Sequence, residues 1–500
     1  MADETLLGID LGTTGAKVVL CRAADGQVLA TGFAAYPLRH PQPGWAEQDP
    51  DEWWAACGEA TRACLTQAGA GAQDVRGVAL SGQMHGAVLV DADQRPVRPC
   101  IIWADQRSAA ECDEIHARVG LSQLVERTGN PALTGFTAAK VLWVRNHEPA
   151  VFARARLLLL PKDYIRLLMT GKASIERSDA AGTNLLDART GDWARDVVAA
   201  LDLPDSLLPP VSGSTEVCGH LSAEAGAHLG LPAGLPVAGG GADNACGATG
   251  AGVVSPGLAL LSIGTSGVVL APATEPRIDR TAPVPRIHTF AHAVPHLWYL
   301  MGVTQAAGLS LRWARDVLGA GDYDAMTAEA AQVAPGADGL LFLPYLQGER
   351  TPHLDPKARG AWIGLTATHT RAHLVRAVLE GVAFSLRDCF DLLAEQGLAL
   401  SQVRATGGGA TSPLWMQICA DVLGAPVVTL AANEGPAFGA ALLAGVAVGL
   451  YPSLPEACAR TVRLGETVTP DSARAAAYLP LLDAYRAAYP ALRDVMHQLS

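Results

Sequence analysis

The 500-residue sequence has no excess of basic charge, no paired-cysteine motif, no P-loop and no apolar run long enough to cross a bilayer. Its 37 Lys and Arg stand against 49 Asp and Glu, and the net charge of −12 leaves no electrostatic footprint for nucleic acid or an anionic membrane. A phosphate ligand remains open, because backbone amides and a metal ion can hold phosphate locally. The cysteines (Cys21, Cys57, Cys64, Cys100, Cys112, Cys218, Cys246, Cys389, Cys419 and Cys458) form no C-x-x-C pair. Reduced, buried thiols and a cytoplasmic location are therefore expected. Residues 1–5, Met-Ala-Asp-Glu-Thr, bring no basic stretch ahead of an apolar one, so no signal peptide is expected. Ala437 to Tyr451 is apolar but short and rich in Gly and Ala, and reads as a tightly packed core helix. Gly171-Lys172 comes nearest to a P-loop, yet Ala173 follows it and Arg166 stands where the first glycine is needed. No G-x-G-x-x-G turn with a later acidic residue follows the first strand, which disfavours a nicotinamide-dependent dehydrogenase.

What is present indicates an α/β enzyme of two domains. The chain is too long for one core, and 49% apolar with 17% charged residues fits a well-packed globular protein. Residues 9–20 (IDLGTTGAKVVL) and 261–270 (LSIGTSGVVL) repeat one pattern: apolar strand, Gly-Thr-Thr/Ser-Gly, second strand. This predicts a duplicated domain whose two hairpins face each other across a cleft, with a boundary near residue 250 giving domains 1–250 and 251–500. Asp49-Pro50-Asp51-Glu52 reads as a helix start. Thr370 reads as the cap of a helix carrying Leu374, Val378, Leu379, Val382 and Leu386 on one face. Residues 403–430 read strand, Gly loop, helix and strand, with Ser412-Pro413 starting the helix and Gly424 ending it.

Between Ala225 and Thr274 the one charged side chain is Asp243. Such a carboxylate is costly in an apolar, Gly-rich stretch unless something pairs with it. It serves either as a cap for a helix starting near Asn244 or as a general base at a cleft mouth, and one site can do both. Asp10 ends the first strand two residues before Gly12-Thr13-Thr14-Gly15. That is either an ordinary turn or a phosphate cradle with a carboxylate placed to hold Mg²⁺. Gly407-Gly408-Gly409 lets a flat ligand approach the backbone. Ser81-Gly82-Gln83-Met84-His85-Gly86 and Trp103-Ala104-Asp105-Gln106-Arg107 gather polar groups beside apolar ones, as a sugar site requires. The loop GERTPH (348–353) reads as a mobile flap or a surface turn.

These segments together resemble the FGGY carbohydrate kinases over essentially the whole length. The resemblance runs through GIDLGTTGAKVVL, WAEQDPDEWW (45–54), LSGQMHGAVL (80–89), LPKDYIRLLMTG (160–171), SDAAGTNLLD (178–187), VAGGGADNACGA, LLSIGTSGV, FLPYLQGERTPH and RAVLEGVAFSLRD (376–388). It implies two actin-like, ribonuclease-H-like domains closing over ATP, Mg²⁺ and a small ketose; QMHG and ADNA point to the branch that phosphorylates xylulose. Carried over, Asp243 is the base, Met84, His85 and Asn244 meet the sugar, and Asp10 is the metal and phosphate carboxylate. Gly12, Thr13, Thr14, Gly264 and Thr265 fall where phosphate contacts are expected, and Gly408, Gly409 and Ser412 on the adenosine side. Trp103, Asp105 and Arg107 are expected at the sugar. Ser262 occupies the place of Asp10 in the second hairpin, so the repeat supplies one metal carboxylate. A homodimer is left open as the assembly. Ribulose, fuculose or glycerol are the alternative substrates within the family, and a chaperone-like ATPase without a sugar is the alternative outside it.

Overall fold

The computed structural model describes residues 4–69, 71–432 and 434–500, so most of the five residues read for a signal peptide lie outside it. The first sheet contains β1 (Thr5–Leu11), β2 (Gly15–Arg22), β3 (Val28–Ala35), β4 (Val75–Gly82), β5 (Val217–His220) and β6 (Pro236–Ala238) in the order β5-β6-β4-β1-β2-β3. The second contains β7 (Leu258–Ile263), β8 (Gly267–Ala273), β9 (His288–Ala291), β10 (Trp298–Thr304), β11 (Gln402–Thr406), β12 (Val427–Leu430) and β13 (Leu464–Val468) in the order β9-β10-β8-β7-β11-β12-β13.

Apart from the extra edge strand β9 and a short strand, Gly241–Ala242, that pairs with β4, the two sheets match position for position. An antiparallel trio (β1-β2-β3, β7-β8-β10) is followed by a parallel strand on the inner side (β4, β11), a second parallel strand and an antiparallel edge. The repeat read from the two hairpins thus extends to the whole sheet. It is imperfect at the turn: Gly12 N–H donates to Gly15 O at 3.0 Å, whereas Gly264 N–H donates to Ser266 O at 3.0 Å, one residue tighter.

Helix starts and stops follow the local chemistry. Helix α1 (Pro50–Ala68) begins with Asp49 accepting from Asp51 N–H, and Gly69 closes it in the left-handed region. Helix α2 (Asp243–Gly250) starts one residue earlier than expected, because Ala242 holds the N-cap position and Asp243 is the first helical residue. Helix α3 (Arg371–Glu395) starts after Thr370 as read, but it is buried on nearly all sides from Val375 to Phe390 rather than on one face, with Arg376 and Glu380 paired inside. Helix α4 (Pro413–Leu423) is capped by Ser412, whose Oγ accepts from Trp415 N–H, and ends at Gly424, φ 66°.

Helix α5 (Pro436–Ala447) is the core helix read from its apolar run, and it returns to cover the first sheet. The core of that sheet accordingly includes Ala437, Leu442 and Leu443 beside Leu6, Ile9 and Leu80. Two glycines make this approach possible. A Cβ on Gly8 of β1 would stand 1.9 Å from Ala437 O, and one on Gly439 of α5 would stand 1.9 Å from Cys246 O of α2. Because Gly439 meets backbone that cannot step aside, Gly439→Ala is expected to cost about 1–3 kcal/mol. Thermal denaturation should show a Tm lower by several degrees, with activity falling because α2 carries Asp243. An unchanged Tm would mean that the two helices part without penalty.

The segment GERTPH is neither a flap nor a surface turn. Glu349 and Thr351 are buried: Thr304 Oγ1 donates to Glu349 at 2.6 Å, Gln305 N–H at 2.9 Å, and Thr351 N–H donates to Val303 O at 2.9 Å. No helix among the described residues is long and apolar enough to cross a membrane.

Candidate active site

Strand register brings the central groups together. Asp10 in β1 stands opposite Lys17 in β2 and Ser81 in β4, and the short strand Gly241–Ala242 pairs with Ser81 and Gly82. The next residue, Asp243, therefore opens α2 beside Asp10. Burial pushes the Asp10 carboxyl up to about 6, opposed by Ser81 and Lys17. Burial, reinforced by the charge of Asp10, pushes Asp243 up to about 7, although Asn244 donates to it from N–H at 2.7 Å and from Nδ2 at 3.0 Å. Two carboxylates with raised and mutually dependent ionisation share one cleft floor.

Asp243, Asn244 and Lys17 line a cavity of about 370 Å³, closed on the other side by Ser262, Thr406 and Gly407 of the second sheet. Lys17 Nζ donates to Glu434 at 2.8 Å across this cavity. A second cavity of about 400 Å³ continues along the second sheet, lined by Gly264, Thr265, Gly408, Gly409, Ser412 and Trp415 among others. A Cβ on Gly408 would meet nothing within 4 Å, whereas one on Gly409 would strike Ile263 at 2.4 Å, so Gly408 faces open space and Gly409 holds the loop against β7.

Within the hairpins the amides divide in two. Gly12 and Gly264 close their own turns, so they shape the cradle instead of donating to a ligand. The N–H groups of Thr13, Thr14, Thr265, Gly408 and Gly409 have no acceptor among the described residues. Free amides in such turns are suited to anions. Thr13 is braced from behind: Gln48 Nε2 donates to its carbonyl at 2.7 Å, and Gln83 and Trp53 donate to Gln48 Oε1. Trp103 Nε1 donates to Thr13 Oγ1 at 3.0 Å, tying a half-exposed indole to the first hairpin.

Met84 is buried with its sulfur 3.6 Å from Asn244 Nδ2. His85 follows at φ 70°, Nδ1 2.8 Å from Gly182 O and its ring stacked on Phe136 at 4.4 Å. Burial and the nearby Lys140 hold the imidazole down to about 3, so it is neutral and offers one donor and one acceptor. Lys140 donates to the carbonyls of His85 and Gly135, fixing this loop.

Asp105 and Arg107, expected at the sugar, lie in a buried ion-pair network. Asp105 accepts from Ala46 N–H at 2.6 Å and from Arg107, which also reaches Glu47 at 2.7 Å and lies 3.6 Å over the Trp45 ring. Both side chains are buried in this ion-pair network.

Several groups escaped the sequence reading. Lys17 and Glu434 are 417 positions apart. A fully buried cluster joins Lys162 to Asp163 at 2.8 Å and Asp179 at 3.1 Å, and Arg166 to Asp163 at 2.8 Å. From it, Ser178 Oγ accepts from Ala242 N–H at 2.9 Å and donates to Glu176 at 2.6 Å, anchoring the residue before Asp243.

Asp10 Oδ1 is buried without a hydrogen-bond partner among the described residues. A hard carboxylate oxygen left open beside the free amides of the first hairpin fits Mg²⁺, which takes few protein ligands and completes its shell with water and phosphate.

A two-domain sugar kinase accounts for this arrangement of duplicated hairpins, paired cavities and adjacent carboxylates. Residues 5–250 match the N-terminal domain and residues 259–448 the C-terminal domain of the FGGY family of carbohydrate kinases, and the chain belongs to that family. It is 42% identical to the xylulose kinase of Escherichia coli (strain K12) over 491 residues, covering 98% of this chain and 99% of that protein. Among solved structures it is similar to the xylulose kinase from Rhodospirillum rubrum (TM-score 0.90, 36% identity, 99% of this chain and 100% of that one). A gluconate kinase from Lactobacillus acidophilus is also similar (TM-score 0.93, 28% identity, 99% and 100% covered). The fold is the actin-like one expected, and the protein is an ATP-dependent carbohydrate kinase.

Proposed function

We propose that the chain phosphorylates D-xylulose at its terminal hydroxyl, giving D-xylulose 5-phosphate and ADP in the cytoplasm, with Asp243 as general base. The observation that carries this reading is Asp243, its carboxyl raised to about 7, lining a cavity between the two sheets with Lys17 and Asn244, whose Nδ2 meets the Met84 sulfur. The xylulose kinases among its relatives supply the sugar. Cytoplasmic placement is supported by ten free cysteines, all buried but Cys218.

Asn244, Met84 and His85 line the sugar; the amides of Thr13, Thr14 and Thr265 and the ammonium of Lys17 receive the phosphates; Gly408, Gly409 and Ser412 flank the adenosine. Mg²⁺ at Asp10, when bound, neutralises charge on the transferring phosphoryl group. Asp243 accepts the proton as the sugar oxygen bonds to the γ-phosphorus and the bond to the β-phosphate oxygen breaks. Closure of the two sheets over the cleft keeps water, the competing nucleophile, from Asp243.

The test is ADP release from MgATP alone and with xylulose, ribulose, fuculose, glycerol and gluconate. Stimulation of at least tenfold by xylulose, above every other sugar, is expected. Greater stimulation by another member of the panel would overturn the choice of sugar.

A further inference from the structure

Arg350 is a cation with no acceptor among the described residues. Its backbone is held rigidly: its N–H donates to Glu349 at 2.8 Å, and the next residue is tied at Thr351 Oγ1 to Arg286 O at 2.8 Å. Its guanidinium forms no hydrogen bond or ion pair with the described residues. Glu349, the one carboxylate that acts on it electrostatically, is consumed by Thr304, Gln305 and Ser385. The side chain reaches from the second half of the chain to the first: a Cβ on Gly135 would lie 3.9 Å from its Nη2 and 3.2 Å from Trp103 O. Its charge is felt by His85 and His288, helping to keep both imidazoles neutral. A half-buried guanidinium on a tethered backbone, beside neutral rings, offers donors to an acceptor.

The order of groups gives that acceptor a place. Asp243 touches Asn244, Asn244 touches Met84, His85 follows and stacks on Phe136, and Arg350 Nη2 reaches Gly135, the residue before Phe136. With the reacting hydroxyl of a ketopentose at Asp243, its carbonyl end lies toward Arg350. We infer that Arg350 binds the carbonyl end of the sugar and selects ketoses over the corresponding polyols. This rests on the reading of Asp243 as the base at the terminal hydroxyl. A donor-only fork matches a carbonyl oxygen, which only accepts, whereas a polyol hydroxyl also brings a proton that needs its own acceptor.

The experiment measures kcat and KM for xylulose and for its reduced pentitols, with KM for ATP, in wild type, Arg350→Met and Arg350→Lys. In Arg350→Met the KM for xylulose is expected to rise about 10–100-fold. The KM for ATP should stay within twofold, and the preference for xylulose over pentitol should shrink. Arg350→Lys keeps the charge without the fork and should fall between. A KM for xylulose within twofold of wild type in either variant, or an equal rise in the KM for ATP, would overturn the inference. If Arg350→Met does not fold, the lysine variant decides alone, by a rise of at least threefold. Wild-type failure on xylulose would count against the proposed sugar, and the same comparison would be made on whichever ketose is turned over; turnover of none would overturn both.

Discussion

Asp243→Asn is expected to lower kcat by about 10²–10⁴-fold while leaving the KM for ATP nearly unchanged. The amide keeps the shape of the side chain and one acceptor oxygen, so α2 retains its start. What is lost is the ability to take a proton. In the wild type that ability depends on pH in a definite direction. A carboxyl raised to about 7 is mostly protonated below that pH, and only the ionised form serves as base. The rate at low substrate should therefore rise with pH, gaining about tenfold per unit below 7 and levelling above it. A pH-rate profile checks this, and a flat profile from pH 5 to 8 would remove Asp243 from the proton transfer.

The second large effect is at Asp10. Asp10→Asn is expected to reduce the plateau rate by about 10²–10³-fold, the scale seen when one electrostatic contact to a developing charge is removed. It should also move the acidic limb of the profile to lower pH, because the charge of Asp10 helps hold Asp243 up. A limb that stayed in place would mean that the charge of Asp10 does not reach Asp243. Stability should change in the opposite sense to activity. Carboxyls whose folded pKa lies above the unfolded value favour the folded state at low pH, and that contribution is lost as pH rises through about 4 to 7. At pH 8 either Asn variant is expected to melt several degrees above wild type in the absence of Mg²⁺.

Much of this was legible in the residues. The hairpins could be read because Gly-Thr-Thr-Gly and Gly-Thr-Ser-Gly are turn chemistry between β-branched runs, and the matching sheet orders bear out the duplication. Ser412-Pro413 and Gly424 are strong local punctuation, and α4 begins and ends at them. Asp243 stood out as the one charge in fifty residues of Gly, Ala, Val and Leu. Pairing across the chain was not legible. Nothing local tells that Lys17 meets Glu434, that Arg107 spends its charge on Asp105 and Glu47, or that α5 crosses back to the first sheet. GERTPH misled for the same reason: its charges look solvent-seeking until Thr304, Gln305 and Ser385 arrive from elsewhere to satisfy Glu349. One-residue offsets, such as Asp243 at the first helical position instead of the cap, depend on where the preceding strand stops pairing.

The most direct test of the account follows the label from γ-³²P-ATP in wild type and Asp243→Asn, with and without xylulose. Label is expected in a pentulose phosphate in the wild type, with little inorganic phosphate when xylulose is absent and almost no transfer in the variant. Label released as inorganic phosphate at the same rate with or without sugar, in both proteins, would contradict it.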